Sequence, residues 1–130
     1  MAIDPPRRTF YDVVGGEPTF RRITASFFAL VPQDELLAAV YPRDDLAGAE
    51  QRLCLFLMQY WGGPTTYSDA RGHPRLRMRH APFRIGPRER DAWMAAMRSA
   101  VGDAGLDPRH SDDLLRYFES TATHMVNSPR

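Results

Sequence analysis

Apolar residues in this chain return at steps of three and four, and glycine or proline cuts every such run before it becomes long. That pattern constrains the fold more than any other feature, because a stripe at this period can be buried only if it lies along a helix. Behind Gly15-Gly16, the residues Phe20, Ile23, Ala25, Phe27, Phe28 and Val31 form two apolar rows that Pro32 stops. Asp34 to Val40 predicts a short helix capped by Asp34 and closed ahead of Tyr41-Pro42, since a residue before proline disfavours helical dihedrals. The clearest segment places Leu46, Ala49, Leu53, Phe56, Leu57 and Tyr60 on one face and ends at Gly62-Gly63-Pro64. Gly86-Pro87 opens a helix striped by Trp93, Ala96, Met97, Ala100 and Val101, broken over Gly102 to Gly105. Asp107-Pro108 opens the last, with Leu114, Phe118, Thr121, Ala122 and Met125. Between them, Pro64 to Pro74 reads as an irregular connection, and only Leu76 to His80 looks briefly helical before Pro82. No stretch alternates apolar and polar as a half-buried strand would, so the expected fold class is all-α around one core. The 130 residues are enough for one domain of that kind and too few for two.

Several function classes lack their signatures. There is no GxxxxGK phosphate loop, no GxSxG elbow, no HExxH and no CxxC. No apolar run approaches a membrane span and nothing resembles a signal peptide, so membrane insertion is not expected. Cys54 is the one cysteine, which points to the cytoplasm and forbids an internal disulfide. It falls one step off the apolar face of its helix, with no base in sight to activate it. Asp44-Asp45 reads as a helix cap and a first-turn charge rather than a catalytic pair.

Charge is distributed unevenly. The net charge is +1, yet all 17 basic residues are arginine and seven of them (Arg71, Arg75, Arg77, Arg79, Arg84, Arg88, Arg90) fall within twenty positions. Guanidinium forks grip carboxylates and phosphates in pairs, so this cluster suits an anionic ligand, although an all-arginine set also follows from GC-rich coding. Nucleic acid is not an expected partner of a chain so close to neutrality. His80 stands inside the cluster at the end of a short helical turn. A lone histidine is commonly structural, and the alternative is a metal ligand. As a haem ligand it would need an apolar wall, for which Phe56, Phe83, Ile85 and Met97 are candidates, and partners for two propionates, which the arginines offer.

The stretches FYDVVGG (Phe10 to Gly16), YPRDDLAGAEQRL (Tyr41 to Leu53), FLMQYWGGP (Phe56 to Pro64), GHPRLRMRHAPFRI (Gly72 to Ile85), ERDAWMAAM (Glu89 to Met97) and MVNSP (Met125 to Pro129) carry a further signal. Together they resemble the truncated haemoglobins of the second group, the two-over-two globins of actinobacteria and other bacteria. The resemblance implies a truncated globin fold over residues 10–130, a two-over-two helical sandwich around a haem, preceded by a flexible extension at 1–9. It implies haem b (iron protoporphyrin IX) with His80 as the proximal iron ligand. Arg52 and Arg79 resemble arginines near the propionates, and Leu53 and Phe56 would line the distal cavity. On the ligand side, Trp93 and Tyr41 match the indole and phenol that face a bound gas, and Ala49 stands where other globins place a distal histidine. A residue that small leaves the gate open.

One position departs from the pattern. The family usually carries a ligand-binding tyrosine where this chain has Phe28, so one hydroxyl is missing from the distal side. The implied function is binding of dioxygen and other diatomic gases such as CO and NO, with oxygen transport as its family setting. The enzyme alternative is nitric oxide dioxygenase or peroxidase-like detoxification, which requires a separate reductase because no flavin or nicotinamide motif is present. A homodimer is left open.

Overall fold

The computed structural model describes residues 8–129, all of whose regular structure is helical. The helices are α1 (Phe10–Val13), α2 (Glu17–Leu30), α3 (Glu35–Val40), α4 (Leu46–Tyr60), α5 (Thr66–Arg71), α6 (Leu76–His80), α7 (Pro87–Asp103) and α8 (Pro108–Met125), with a 3-10 turn at Val31–Gln33 between α2 and α3. Most of the expected flexible extension at 1–9 lies outside the described residues, while Thr9 already has a fixed role as the cap of α1.

Local chemistry explains where the helices begin. Asp34 accepts hydrogen bonds from the amides of Leu36 and Leu37, Asp45 from Gly48, and Asp107 from Arg109, each satisfying donors that a helix start leaves open. Glu89 reaches back to the Gly86 amide at 3.0 Å behind Pro87. The four long helices then pack as two layers, α2 with α4 and α7 with α8, joined through α2 against α7. Their shared core holds Phe20, Ile23, Phe27 and Val31 from the α2 side, Leu57 and Met58 from α4, Met94, Met97 and Val101 from α7, and Leu114 and Phe118 from α8. Each such side chain contributes about 1.5–3 kcal/mol on burial, so this core rather than helix propensity holds the domain together. This is a two-over-two helical sandwich, the arrangement that the resemblance implies.

Three local readings are corrected. The FYDV segment is a helix, closed by a reciprocal bond pair between Thr9 and Asp12. The connection after Pro64 contains α5, which buries Tyr67 against Phe56 at 5.6 Å between ring centres. Cys54 is fully buried in the core instead of sitting beside it, and burial pushes its thiol pKa up, so it serves as a small apolar residue. The glycine pair after α4 has a packing reason. Gly62 adopts φ 97°, and a Cβ on Gly63 would meet the Tyr11 ring at 2.7 Å and the Met58 carbonyl at 2.8 Å. The opening lets α1 dock, with the Tyr11 amide donating to the Trp61 carbonyl at 2.9 Å and the Phe10 ring tilted against Trp61 at 4.3 Å between centres.

Candidate functional site

The proximal half is built on α6, a helix of five residues that could not persist alone in water. Its approach is unusual. Gly72 takes φ 77° and Arg75, just before the helix, takes φ 44°, a left-handed conformation that a residue with a Cβ adopts only at some cost. Arg79 fastens this approach from within α6, its Nε donating to the Pro74 carbonyl at 2.8 Å and its Nη2 to the Arg71 carbonyl at 3.0 Å. Asn127, just past α8, fastens the exit. Its Nδ2 donates to the carbonyls of Phe83 (2.8 Å) and His80 (3.4 Å), while its Oδ1 accepts from the Ile85 amide at 2.9 Å. The backbone amides of Asn127 and Ser128 add two more bonds to the Ile85 carbonyl.

Between these fastenings sits His80, half-buried, with Nδ1 2.6 Å from the Leu76 carbonyl one turn earlier. A carbonyl can only accept, so Nδ1 carries a proton, and in the neutral imidazole Nε2 is the nitrogen that keeps its lone pair. That is the tautomer a metal-binding imidazole needs, with the second-shell bond that fixes its ring.

The distal cluster is assembled from α2, α3 and α7. The Trp93 indole Nε1–H donates to the Tyr41 hydroxyl at 3.1 Å across 52 positions of sequence. Phe28 packs edge-on to Tyr41 at 5.1 Å, and Phe27 stands 6.2 Å from Tyr41 and 5.2 Å from Trp93. Tyr41 accepts through oxygen, so its own proton remains available to a third group. Burial raises the Tyr41 pKa to about 12, outweighing the opposing effect of the Trp93 bond, so the phenol stays neutral and able to donate at ordinary pH. A cleft of about 260 Å³, lined by Val31, Tyr41, Leu46 and neighbours, opens beside this ring.

The remaining sequence-predicted residues divide clearly. Phe56 and Ala49 are buried on α4 and Met97 is fully buried on α7, whereas Leu53 and Ile85 are half-buried and Phe83 is 45% exposed. Arg52 pairs with Asp45 at 3.2 Å on the surface, and Arg79 engages the carbonyls named above. Sequence reasoning gave no role to Asn127 or Phe27. Phe27 was legible only as a core residue, and no local pattern marks an asparagine that acts on a segment more than forty positions away.

A two-over-two helical sandwich with one imidazole presented on a short helix and a phenol–indole pair in its distal cluster defines a globin of the shortened kind. The family model described as bacterial-like globin matches residues 9–127, and the chain belongs to this family. Among characterised relatives, the group 2 truncated haemoglobin YjbI of Bacillus subtilis is 37% identical over 117 residues, covering 90% of this chain and 87% of its own. A thermostable haemoglobin from the actinobacterium Thermobifida fusca is 54% identical with a TM-score of 0.91, covering 95% of this chain and all of that one. The group II truncated haemoglobin of Bacillus anthracis is 34% identical at TM-score 0.91, covering 97% and 96%. Globin membership implies haem binding. The residues fit such a group: His80 offers a single free lone pair where a porphyrin brings its own ring of nitrogens, and Leu53, Phe83 and Ile85 retain apolar surface that a flat macrocycle would cover.

Two outcomes are expected. Replacing Asn127 with alanine removes three side-chain bonds from the 80–85 segment and should cost about 1 kcal/mol, with faster hydrogen exchange at the Ile85 amide; unchanged Ile85 protection would show that the clamp does not restrain the segment. Tyr41 and Tyr117 are both raised from 10 to about 12, so their stabilisation is complete below about pH 10 and is lost as pH rises toward 12. Denaturant midpoints should fall across that window, and Tyr41→Phe should flatten the fall.

Proposed function

We propose that the chain holds haem b through His80 Nε2 and binds dioxygen and other diatomic gases, CO and NO among them. The observation that carries this reading is the Nδ1–H bond from His80 to the Leu76 carbonyl, which fixes the ring and, in the neutral imidazole, leaves Nε2 free to ligate. Haem, when bound, would supply an iron able to take up a diatomic gas, with His80 as the residue that would hold it.

The chain's own residues then divide the work. Leu53, Phe56, Phe83, Ile85 and Met97 form the apolar wall that excludes water, with Ala49 leaving room above it. Arg52 and Arg79 hold the propionates through guanidinium donors beyond those engaged by Asp45 and the loop carbonyls. Phe28 contributes shape and no hydrogen bond, so polar stabilisation of a gas falls to Tyr41 and Trp93. Trp93 Nε1–H pulls electron density from the Tyr41 oxygen and so strengthens Tyr41 as a donor. The pair acts as one unit in which the indole orients the phenol and the phenol meets the ligand. With Cys54 buried and the chain free of other cysteines, a cytoplasmic setting suits this role.

A second reading, nitric oxide oxidation with turnover, gains support from the arginine-rich face around α6, where a separate reductase would deliver electrons.

Purified protein supplied with haemin should show a Soret band that shifts on reduction and again with carbon monoxide, and His80→Ala should lose that axial signature. An unaltered ferrous spectrum in the variant would place the ligand elsewhere. Replacing Trp93 with phenylalanine removes about 1 kcal/mol of orienting hydrogen bond and should raise the oxygen dissociation rate about fivefold by stopped-flow. A rate that stays put would mean that Tyr41 needs no help.

A further inference from the structure

Residues 71–90 carry seven arginines against one acid, Glu89, while the rest of the chain carries ten arginines against fifteen acids. A nearly neutral protein is therefore strongly polarised, with its positive pole on α6 and its flanks. Part of this charge has internal work. Arg90 pairs with Asp91 and Glu119, Arg79 ties down loop carbonyls, and Arg71 lies over the Tyr67 ring at 5.9 Å. Arg75, Arg77 and Arg88 do not share it: all three are exposed and none has a carboxylate within ion-pair distance among the described residues.

Two of these placements run against stability. Arg88 is the second residue of α7, where the helix dipole disfavours a cation, and Arg75 has a left-handed backbone. A third feature lies among them. Leu76 and His80 share one face of α6, so Met78, two residues from each, points the opposite way and is 59% exposed. Met78 faces away from the imidazole and cannot belong to the wall of the haem site. An exposed methionine flanked along α6 by Arg75 and Arg77, on the outer side of the helix that carries His80, has the make-up of a small transient interface: apolar centre, charged rim.

We propose that this outer face of α6, centred on Met78 and flanked by Arg75 and Arg77, docks an acidic electron-carrier protein. The inference rests on the haem reading. Charge complementarity selects an acidic partner, and the position directly behind the histidine helix selects an electron carrier, because that is where a docked protein comes near the iron without entering the gas side. In the step it serves, the donor loses one electron and ferric iron is reduced to ferrous; no bond forms or breaks and no proton moves.

The test uses the haem-loaded full chain and a reduced two-iron ferredoxin as an acidic donor. Reduction of the ferric form should be fast at low ionic strength and slow steeply with added salt. The double variant R75E/R77E should lose about tenfold or more of that rate and most of its salt dependence, while reduction by uncharged hydroquinone and carbon monoxide binding stay as they were. Chemical-shift changes of labelled ferredoxin titrated with the haem-loaded chain should likewise vanish in the variant. Both side chains are exposed and neither has a carboxylate partner among the described residues, so the variant is expected to fold. A normal Soret band with unchanged ferredoxin kinetics and unchanged shifts would overturn the docking face alone, as would arginine-dependent binding to anionic lipid vesicles without any effect on ferredoxin. A chain that takes up no haemin would overturn the haem reading itself.

Discussion

The hydrogen bond from His80 Nδ1–H to the Leu76 carbonyl is the constraint on which the rest of the site depends. In the neutral imidazole it selects Nε2 as the free nitrogen, and it can form only while residues 76–80 remain one helical turn. Five residues cannot hold that turn themselves, because nucleation consumes more conformational freedom than a single turn returns. The neighbouring structure therefore does it for them. Arg79 pulls the approach onto the helix, Asn127 pins the exit to the end of α8, and α8 is anchored in the core by Leu114 and Phe118. One imidazole orientation thus draws on the packing of a helix that begins nearly thirty positions later.

The distal side is arranged differently. There the functional atoms are held by aromatic packing in the core itself, with Phe27 fully buried against both Tyr41 and Trp93. Phe28 adds a second edge contact to Tyr41. The absence of a hydroxyl at Phe28 does more than subtract a donor. A third polar group here would compete for the Tyr41 oxygen, and an apolar ring leaves the Trp93 bond as the one interaction that orients the phenol. The result is a smaller donor set with less freedom.

How much of this was legible from sequence depends on the range of the interaction concerned. The long helices follow from periodicity and punctuation, and Asp34, Asp45, Gly86-Pro87 and Asp107-Pro108 mark starts that the structure places within a residue. Cys54 was misplaced because a single apolar stripe assumes one buried side, whereas α4 packs against both α2 and α5. The α5 helix was missed for a related reason. Its Thr, Ser and Asp residues favour loops, and it is held instead by the Gln59 side chain bracketing Ser68 and by buried Tyr67, tertiary forces that override local preference. α1 did carry a sign, Thr9 followed three residues later by Asp12, which is a short version of the capping box. The Trp93–Tyr41 bond carried none: each residue reads as core by itself, and only the fold closes 52 positions to 3.1 Å.

Several places where local rules fail share a location. Left-handed Arg75, exposed Met78, half-exposed Phe83 and a cation in the first turn of α7 all fall between residues 75 and 88, while the four long helices obey packing rules closely. Sequences that specify a fold agree with themselves at every level except where something other than stability is at stake. The proposed haem would account for the apolar surface that Phe83 and Ile85 leave uncovered. That explanation does not extend to Met78 or Arg88, which lie on the other side of α6 or beyond it. Two sets of violations on two sides of one short helix call for two ligands, one inside the fold and one outside it, with the histidine helix as the wall between them.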